Sequence, residues 1–294
     1  MTTGQPLAVD TLTSGWQPPR VTVALPRLLR AELRWIFRRP RTLIVLGLLA
    51  AIPVVIGISV RLAGTPAGGP PGGEAPVFVT AASSALALPI GAITVALALL
   101  LPLSIAMVSG DALAGEHSHG TLRGWLLAPV GRGRLLAVKA FGVAMVAITA
   151  VTLMSATGLI TGLILNGTDG LFTLSGTTLS FGDALLRVAL AAGWVAVQLC
   201  AVGAVALAIS ASTEHPVVVV ACVLAGDIVF GVLQLLSAVA WLHPFLLTDS
   251  WSAVTDVLRD PLPTDALAEG ALRALCYIAI GLSLAYARVT TRDG

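Results

Sequence analysis

Six long apolar runs constrain this sequence more than any other feature. They lie near residues 42–62, 80–108, 140–164, 185–209, 217–240 and 270–288. A helix needs about 20 mostly apolar residues to cross the hydrocarbon core of a bilayer, whereas membrane-barrel strands show short alternating segments. Only 11% of the residues are charged, against about a quarter in soluble domains. The sequence therefore predicts an all-α polytopic membrane protein whose six transmembrane helices occupy residues 42–294.

The distribution of basic residues predicts the orientation of these spans. If both termini lie inside, 13 of the 17 basic residues fall in inner segments, and four fall at the outer side or at outer helix ends. Membrane proteins carry such an excess of lysine and arginine in their cytoplasmic loops. We therefore expect a protein of the cytoplasmic membrane with cytoplasmic termini, and a cytoplasmic segment at 111–134 between spans two and three.

A basic amphipathic helix is predicted at residues 25–41, after a disordered tail at 1–24. Leucines, Ile36 and Phe37 recur there at spacings of three and four, and a second stripe with the same spacing is basic. The basic stripe consists of Arg27, Arg30, Arg34 and Arg38. Such a helix lies in the inner membrane surface with its arginines towards lipid phosphates. Arginine stripes also bind nucleic acid, but a span begins within a few residues, so we expect lipids and no nucleic acid as partners.

The stretch DALAGEHSHGTLRG, residues 111–124, gathers two histidines and two acids in this apolar chain. On a helix, His117 and His119 point about 200° apart, so they do not form the i, i+4 pair that binds zinc. The hydrolase motifs HExxH and GxSxG are absent from the sequence. We therefore expect neither a metal site nor a catalytic centre in this stretch.

A larger pattern surrounds this stretch. From Asp111 the chain reads D-x-x-x-x-E-x-x-x-G-T-L, followed by L-L-x-P-V-x-R-x-R-L-L-x-x-K up to Lys139. The pattern resembles the ABC-2 family of transporter permeases, whose members share an acid, then E-x-x-x-G-T-L, then a P-x-x-R turn that enters the third span. The six spans, the basic surface helix and the long outer segment before the last span match that family as well.

This resemblance implies a mechanical role. In the family, a short cytoplasmic helix between spans two and three fits a groove on an ATP-binding subunit, and ATP-driven closure of two such subunits moves the spans. The residues then expected to couple ATP hydrolysis to transport are Asp111, Glu116, Gly120, Thr121, Arg123, Leu126, Pro129 and Arg132. The residue types agree with this role, because Gly120 suits a helix end and Pro129 stops a helix. The alternative is that these charges are merely solvated, with Glu116 paired to Arg123.

The sequence contains no recognisable nucleotide-binding motif. A P-loop requires GxxxxGK[ST], and the only lysine, Lys139, lies between a valine and an alanine. We therefore expect a transport subunit without its own ATPase site or cofactor, with ATP and Mg bound by two separate ATP-binding cassette subunits. A second permease subunit, identical or homologous, is expected to complete the exporter, and the apolar spans suit a hydrophobic or amphipathic substrate.

Polar residues within the spans suggest further roles. Gln198 and Asp227 fall near mid-bilayer in spans four and five, and Gln234 lies further out. A charge at that depth costs several kcal/mol, so Asp227 is either functional or held in a structural contact. We expect Asp227 and Gln198 at matching depth, meeting inside the bundle or facing a dimer cavity. The alternative functions are a proton-driven secondary transporter that uses Asp227 and a membrane partner that relays ATPase motion to an outside protein.

Three local patterns add expectations about the spans and the outer segment. Pro89 and Pro102 are predicted kink points of the long second span. Asp183 and Arg187 have the i, i+4 spacing of a pair at the outer start of span four. The segment 241–267 mixes tryptophans, prolines and apolar patches. It is predicted to be either a partly re-entrant or surface-lying lid, or an ordinary extracellular loop with a short helix.

Overall fold

The regular structure of this chain is helical. The computed structural model describes residues 24–63, 85–118, 131–167, 173, 175 and 177–291, so most of the predicted tail at 1–24 lies outside it. Its α-helices are α1 (Leu25–Arg38), α2 (Pro40–Ala63), α3 (Ala87–Leu97), α4 (Leu100–Ser118), α5 (Arg132–Asn166), α6 (Phe181–Ser210), α7 (Pro216–Gln234) and α8 (Asp265–Thr291). Two 3₁₀ helices, η1 (Ser237–Phe245) and η2 (Leu247–Leu258), lie between α7 and α8. The predicted all-α polytopic fold is confirmed.

Helices long and apolar enough to span a membrane follow the predicted runs in order. The helices α2, α5, α6, α7 and α8 each qualify alone, and α3 and α4 qualify together as one span bent by 56°. Several boundaries differ from the prediction, among them the end of α4, which lies at Ser118 rather than near residue 108; two of the differences have a clear local cause. The third span begins at Arg132 rather than near residue 140, because the helix continues into a basic segment that hydropathy excludes. The fifth ends at Gln234 rather than near 240, because the extended backbone of Leu236 turns the chain into η1.

The bend of the second span lies just before Pro102. Helical pairing is lost at Ala98–Leu99, between α3 and α4. Pro102 has no N–H to donate to the carbonyl of Ala98, four residues earlier, and its ring crowds that carbonyl. Pro89 produces no bend, because it lies in the first turn of α3, where the backbone N–H groups have no helical partner. The predicted kink is therefore found at one of the two prolines.

A single extended residue separates α1 from α2. Arg39 has φ −73° and ψ 124°, and Pro40 begins α2. Proline disfavours helical geometry at the residue before it, so the amphipathic helix predicted to run to residue 41 ends at Arg38. The four arginines of the basic stripe are exposed, whereas Glu32 and Ile36 on the other side are buried. The apolar stripe therefore packs against α5 and α2, in addition to any contact with lipid.

The helix α6 forms the centre of the bundle and packs against α4, α5 and α8. Small residues permit the close approach of these helices, as is typical of transmembrane bundles. At Gly281 on α8, a Cβ atom would lie 2.7 Å from the backbone carbonyl carbon of Ala204 on α6. Any side chain at this position would therefore push α8 away from α6.

The two ends of the bundle are different. One end, called the α1 end here, carries α1, the end of α4, the start of α5 and the end of α8. The other, called the lid end, carries η1 and η2. The apolar face of η2 is buried against α3, α6, α7 and α8. That face includes Leu247, Trp251, Val254, Val257 and Leu258.

Candidate functional site

Asp111 lies on α4, ahead of the helix end at Ser118. Its Oδ2 accepts a hydrogen bond from Arg39 Nη1 at 3.3 Å and lies 4.0 Å from Arg41 Nη1. These arginines lie at the α1–α2 junction and at the start of α2. Arg39 and Asp111 are each about one-third exposed. The first residue of the family pattern thus connects α4 to the junction between α1 and α2, a contact that sequence spacing does not predict.

A buried ion pair joins α1 to α5. Lys139 Nζ donates to Glu32 Oε1 at 3.0 Å and to Oε2 at 3.3 Å. The two side chains are only 1% and 6% exposed. Sequence reasoning missed this pair, but a signal was present. Glu32 falls four residues before buried Ile36, and Lys139 four residues before buried Val143, so each charge lies on an apolar helical face. Charged residues are almost never fully buried unless paired, so two opposite charges in such positions predict a pair.

Trp35 connects the two ion pairs. The guanidinium carbon of Arg39 lies 3.3 Å from the centroid of the Trp35 ring, and Lys139 Nζ lies 5.1 Å from it. Cations at such distances are attracted to the negative face of the ring. The side chains of Glu32, Trp35, Arg39, Arg41, Asp111 and Lys139 form a continuous group, called the junction cluster from here on. The junction cluster brings α1, α2, α4 and α5 together at the α1 end.

Two more contacts hold the helices that flank segment 119–130. Ser210 on α6 accepts a hydrogen bond from Ala114 N at 3.0 Å and donates to Gly110 O at 3.3 Å. These two bonds attach α6 to α4 next to Asp111. Arg132, the first residue of α5, donates to Val289 O at 3.3 Å and Thr290 O at 2.8 Å. These carbonyls belong to the last turn of α8, where a cation also interacts favourably with the helix dipole.

The structure describes only the flanks of the predicted coupling segment. Gly120, Thr121, Arg123, Leu126 and Pro129 lie outside the described residues. The backbone of Glu116 belongs to α4, but its side chain, like that of His117, is outside the description. Their predicted roles stay predictions. Among the described residues, no three His, Cys, Asp or Glu side chains are grouped so that they can hold a metal ion.

Gln198 binds α8 rather than α7. Its Nε2 donates to Gly270 O at 3.0 Å, and one turn earlier Trp194 Nε1 donates to Leu267 O at 2.8 Å. The Gln198 side chain is fully buried, and its Oε1 has no hydrogen-bond partner among the described residues. Asp227 on α7 is partly exposed, and no hydrogen bond or ion pair joins it to another described residue. The two residues therefore do not meet within this chain, and the other alternative, that Asp227 faces a dimer cavity, stays a prediction.

Arginines and a glutamine anchor the lid end. Arg187 on α6 binds Asp260 Oδ1 at 3.1 Å. It also donates to the carbonyl of Val257, within the end of η2, and to that of Arg259, just past it. The expected Asp183–Arg187 pair is wrong. Asp183 instead accepts a hydrogen bond from Ser180, the residue that caps α6.

The start of η2 is held in the same way. Arg273 on α8 donates to Leu246 O at 2.8 Å and to Asp249 Oδ2 at 3.2 Å. Gln234 Nε2, at the end of α7, donates to Thr248 Oγ1 at 2.6 Å. The three residues that sequence reasoning singled out as intramembrane polar groups thus divide by role: Gln198 and Gln234 join helices, and Asp227 does not.

A helical bundle of this kind, with apolar spans, a bent second span and a basic helix packed at one end, defines a multi-pass membrane protein. The family described as ABC-2 family transporter protein matches residues 27–293, and the chain belongs to that family. Members of this family act as transport subunits, not as catalytic ones, and they associate with ATP-binding subunits. A search of curated proteins found no significant match.

Proposed function

We propose that this chain is the permease subunit of an ATP-driven exporter in the cytoplasmic membrane. Two permease chains work with two ATP-binding cassette subunits, which bind ATP and Mg. The cargo is hydrophobic or amphipathic, and both termini are cytoplasmic. The observation that carries the proposal is the anchoring of both helices that carry the ends of the family pattern: Ser210 and Arg39 hold α4, and Glu32 holds α5.

The proposed mechanism moves α4 and α5 as stiff elements. A displacement of segment 119–130 by an ATP-binding subunit reaches the end of α4 at Ser118 and the start of α5 at Arg132. Because protein interiors are closely packed, such a displacement moves whole helices rather than single side chains. The helix α4 packs on α6 and α7, and α5 packs on α2 and α6. Motion at one end of the bundle is therefore carried towards the lid end.

The charges of the α1 end support the cytoplasmic assignment. The exposed stripe Arg27, Arg30, Arg34 and Arg38 lies on the side of α1 opposite the buried Glu32 and Ile36. In this position the arginines are free to contact the phosphates of an anionic leaflet, where each is worth about 1 kcal/mol. Membrane lipids are therefore proposed partners of α1, and the lid end faces outward.

A second permease chain is proposed to cover α7. Only 11% of its span is buried within the single chain, the lowest share among the described spans. Asp227 lies on this helix without a bonded partner among the described residues. A charge that faces lipid has no partner and is costly, so a neighbouring chain or a polar cargo path beside α7 accounts for its position better. The alternative function, in which Asp227 carries protons in a secondary transporter, would use the same position of Asp227.

The proposal is tested in proteoliposomes. The chain is purified alone and with its ATP-binding subunit. Movement at the lid end is followed with Ser252→Cys on η2, in a chain whose three native cysteines are replaced by serine. An impermeant maleimide measures the labelling rate, since Ser252 is exposed. We expect no ATP binding by the chain alone, hydrolysis by the complex, and a labelling rate that changes when ATP and vanadate trap the partner.

Two outcomes contradict the proposal. ATP binding by the isolated chain would reject the assignment of the ATPase site to a separate subunit. The proton-driven alternative would be favoured if the labelling rate does not depend on ATP but changes with an imposed pH gradient, and if Asp227→Asn abolishes that change. A complex carrying an ATP-binding subunit with its P-loop lysine replaced serves as the control, because it assembles without hydrolysing ATP.

A further inference from the structure

The helix α1 contacts both flanks of the coupling segment through contacts of unequal strength. Towards α5 it uses the Glu32–Lys139 pair, which is almost entirely buried. Towards α4, the residue after α1 uses the Arg39–Asp111 pair, whose side chains are about one-third exposed. We infer that α1 and α5 move as one unit during ATP-driven coupling and that Arg39–Asp111 is the contact that opens. This inference rests on the proposed function.

The Glu32–Lys139 pair fixes the orientation of α1. A well-packed apolar pair of similar volume holds two helices together at least as strongly as a buried ion pair does. The ion pair also constrains the orientation of α1. Lys139 Nζ donates to both carboxylate oxygens of Glu32 and so sets the rotation of α1 about its axis. Close packing reinforces it: at Gly142 on α5, a Cβ atom would lie 2.7 Å from Ile36 Cδ1.

Breaking the buried pair is far costlier than breaking the half-exposed one. Separation of Glu32 from Lys139 would break two hydrogen bonds between opposite charges in a water-poor site. Separation of Arg39 from Asp111 breaks a contact between two groups that are already partly hydrated, and Arg41 remains near Asp111; such exposed pairs contribute little. Arg39 also keeps its contact with the Trp35 ring on α1 when Asp111 leaves. When α4 and α5 shift relative to each other, Arg39–Asp111 therefore opens first, and α1 stays with α5.

Glu32 and Lys139 are thus positioning residues, and Arg39 acts as a latch. Removing the positioning pair and removing the latch have opposite effects. Without the pair, a displacement of segment 119–130 rotates α1 relative to α5 instead of moving the other helices. Without the latch, α4 moves more easily and the complex cycles faster at rest. A network that only stabilises the fold would give effects of the same sign at both places.

The experiment compares these variants in the assembled complex, using the Ser252→Cys labelling readout together with ATPase rates. For Glu32→Met/Lys139→Met, we expect assembly and ATPase to persist while the ATP-dependent change in labelling falls at least about fivefold. For Arg39→Gln, we expect the change in labelling to persist and the basal ATPase rate to rise about two- to fivefold. The charge swap Glu32→Lys/Lys139→Glu should restore most of the response. Arg61→Gln, exposed near the other end of α2, is the matched control and should behave as the parent.

The outcomes separate this inference from the proposed function. If the parent complex neither hydrolyses ATP nor changes its labelling, the proposed function fails. If the parent responds and the double methionine chain responds equally, or if Arg39→Gln lowers the response as the double methionine chain does, the inference is overturned. Should the double methionine chain fail to assemble, Arg39→Gln decides alone: a faster basal rate with an intact response supports the inference, and any other result rejects it.

Discussion

Gln198→Met tests the buried polar contact between α6 and α8. Gln198 Nε2 makes one hydrogen bond to Gly270 O, while its buried Oε1 has no partner among the described residues. An interhelical hydrogen bond in a membrane contributes about 0.6 kcal/mol and at most about 1.7 kcal/mol. An unsatisfied buried polar atom costs about 1–3 kcal/mol. Methionine has a similar length and removes both the hydrogen bond, which stabilises, and the unsatisfied oxygen, which destabilises. The free energy of unfolding should therefore change by between about −0.7 and +2.4 kcal/mol.

The matched variant is Trp194→Phe, one turn away on the same face of α6. It removes the hydrogen bond to Leu267 O without removing any unsatisfied atom, and it leaves a small cavity where the indole lay. It should therefore lower the free energy of unfolding by at least about 0.6–1.7 kcal/mol. Reversible unfolding of the purified chain in mixed micelles measures both. A loss above about 2 kcal/mol for Gln198→Met would refute the reasoning, because Oε1 must then bond to a group outside this set of residues.

Three further predictions concern the lid, the bundle centre and span five. Arg187→Ala should destabilise the attachment of η2 by about 1.5–3 kcal/mol and speed proteolysis of η2, because three acceptors lose a charged donor. The control, Arg259→Ala at an exposed residue, should cost at most about 1 kcal/mol. Gly281→Leu should lower the free energy of unfolding by about 1–3 kcal/mol or more, because the new side chain overpacks the contact between α6 and α8. Gly47→Ala, where a Cβ meets open space, should raise the free energy of unfolding by about 0.5–1 kcal/mol. Thermal unfolding measures both changes. Asp227→Asn should weaken the ATP-dependent labelling of Ser252→Cys while leaving assembly intact; an unchanged response would assign Asp227 a merely structural role.

The spans were predictable because each follows from a local property. A run of apolar residues identifies a membrane helix wherever it lies, so the six spans and the all-α fold could be predicted. Their ends were less accessible. The start of α5 at Arg132 depends on the helix continuing through basic residues, and the end of α7 at Gln234 depends on the extended backbone of Leu236. Neither property is part of a hydropathy pattern.

The polar contacts were harder to predict because their partners lie far apart in sequence. Asp111 was recognised from its place in the family pattern, yet its partner Arg39 is 72 residues away. Glu32 and Lys139 are separated by 107 residues, and no local pattern links them. The expected Asp183–Arg187 pair was wrong because local spacing favours a contact only when no better partner exists, and the end of η2 supplies one.

The single residue between α1 and α2 restricts how the length of this chain can change. Each residue added to a helix turns it by about 100°. One residue inserted between Glu32 and Pro40 would therefore turn the carboxylate of Glu32 away from Lys139 while leaving the composition of α1 nearly unchanged. Insertions and deletions in this stretch are therefore expected to be more damaging than conservative substitutions. In chimeras that exchange α1 between related permeases, the number of residues from Glu32 to Pro40 must therefore stay the same. Keeping this number matters more than keeping the identity of each residue.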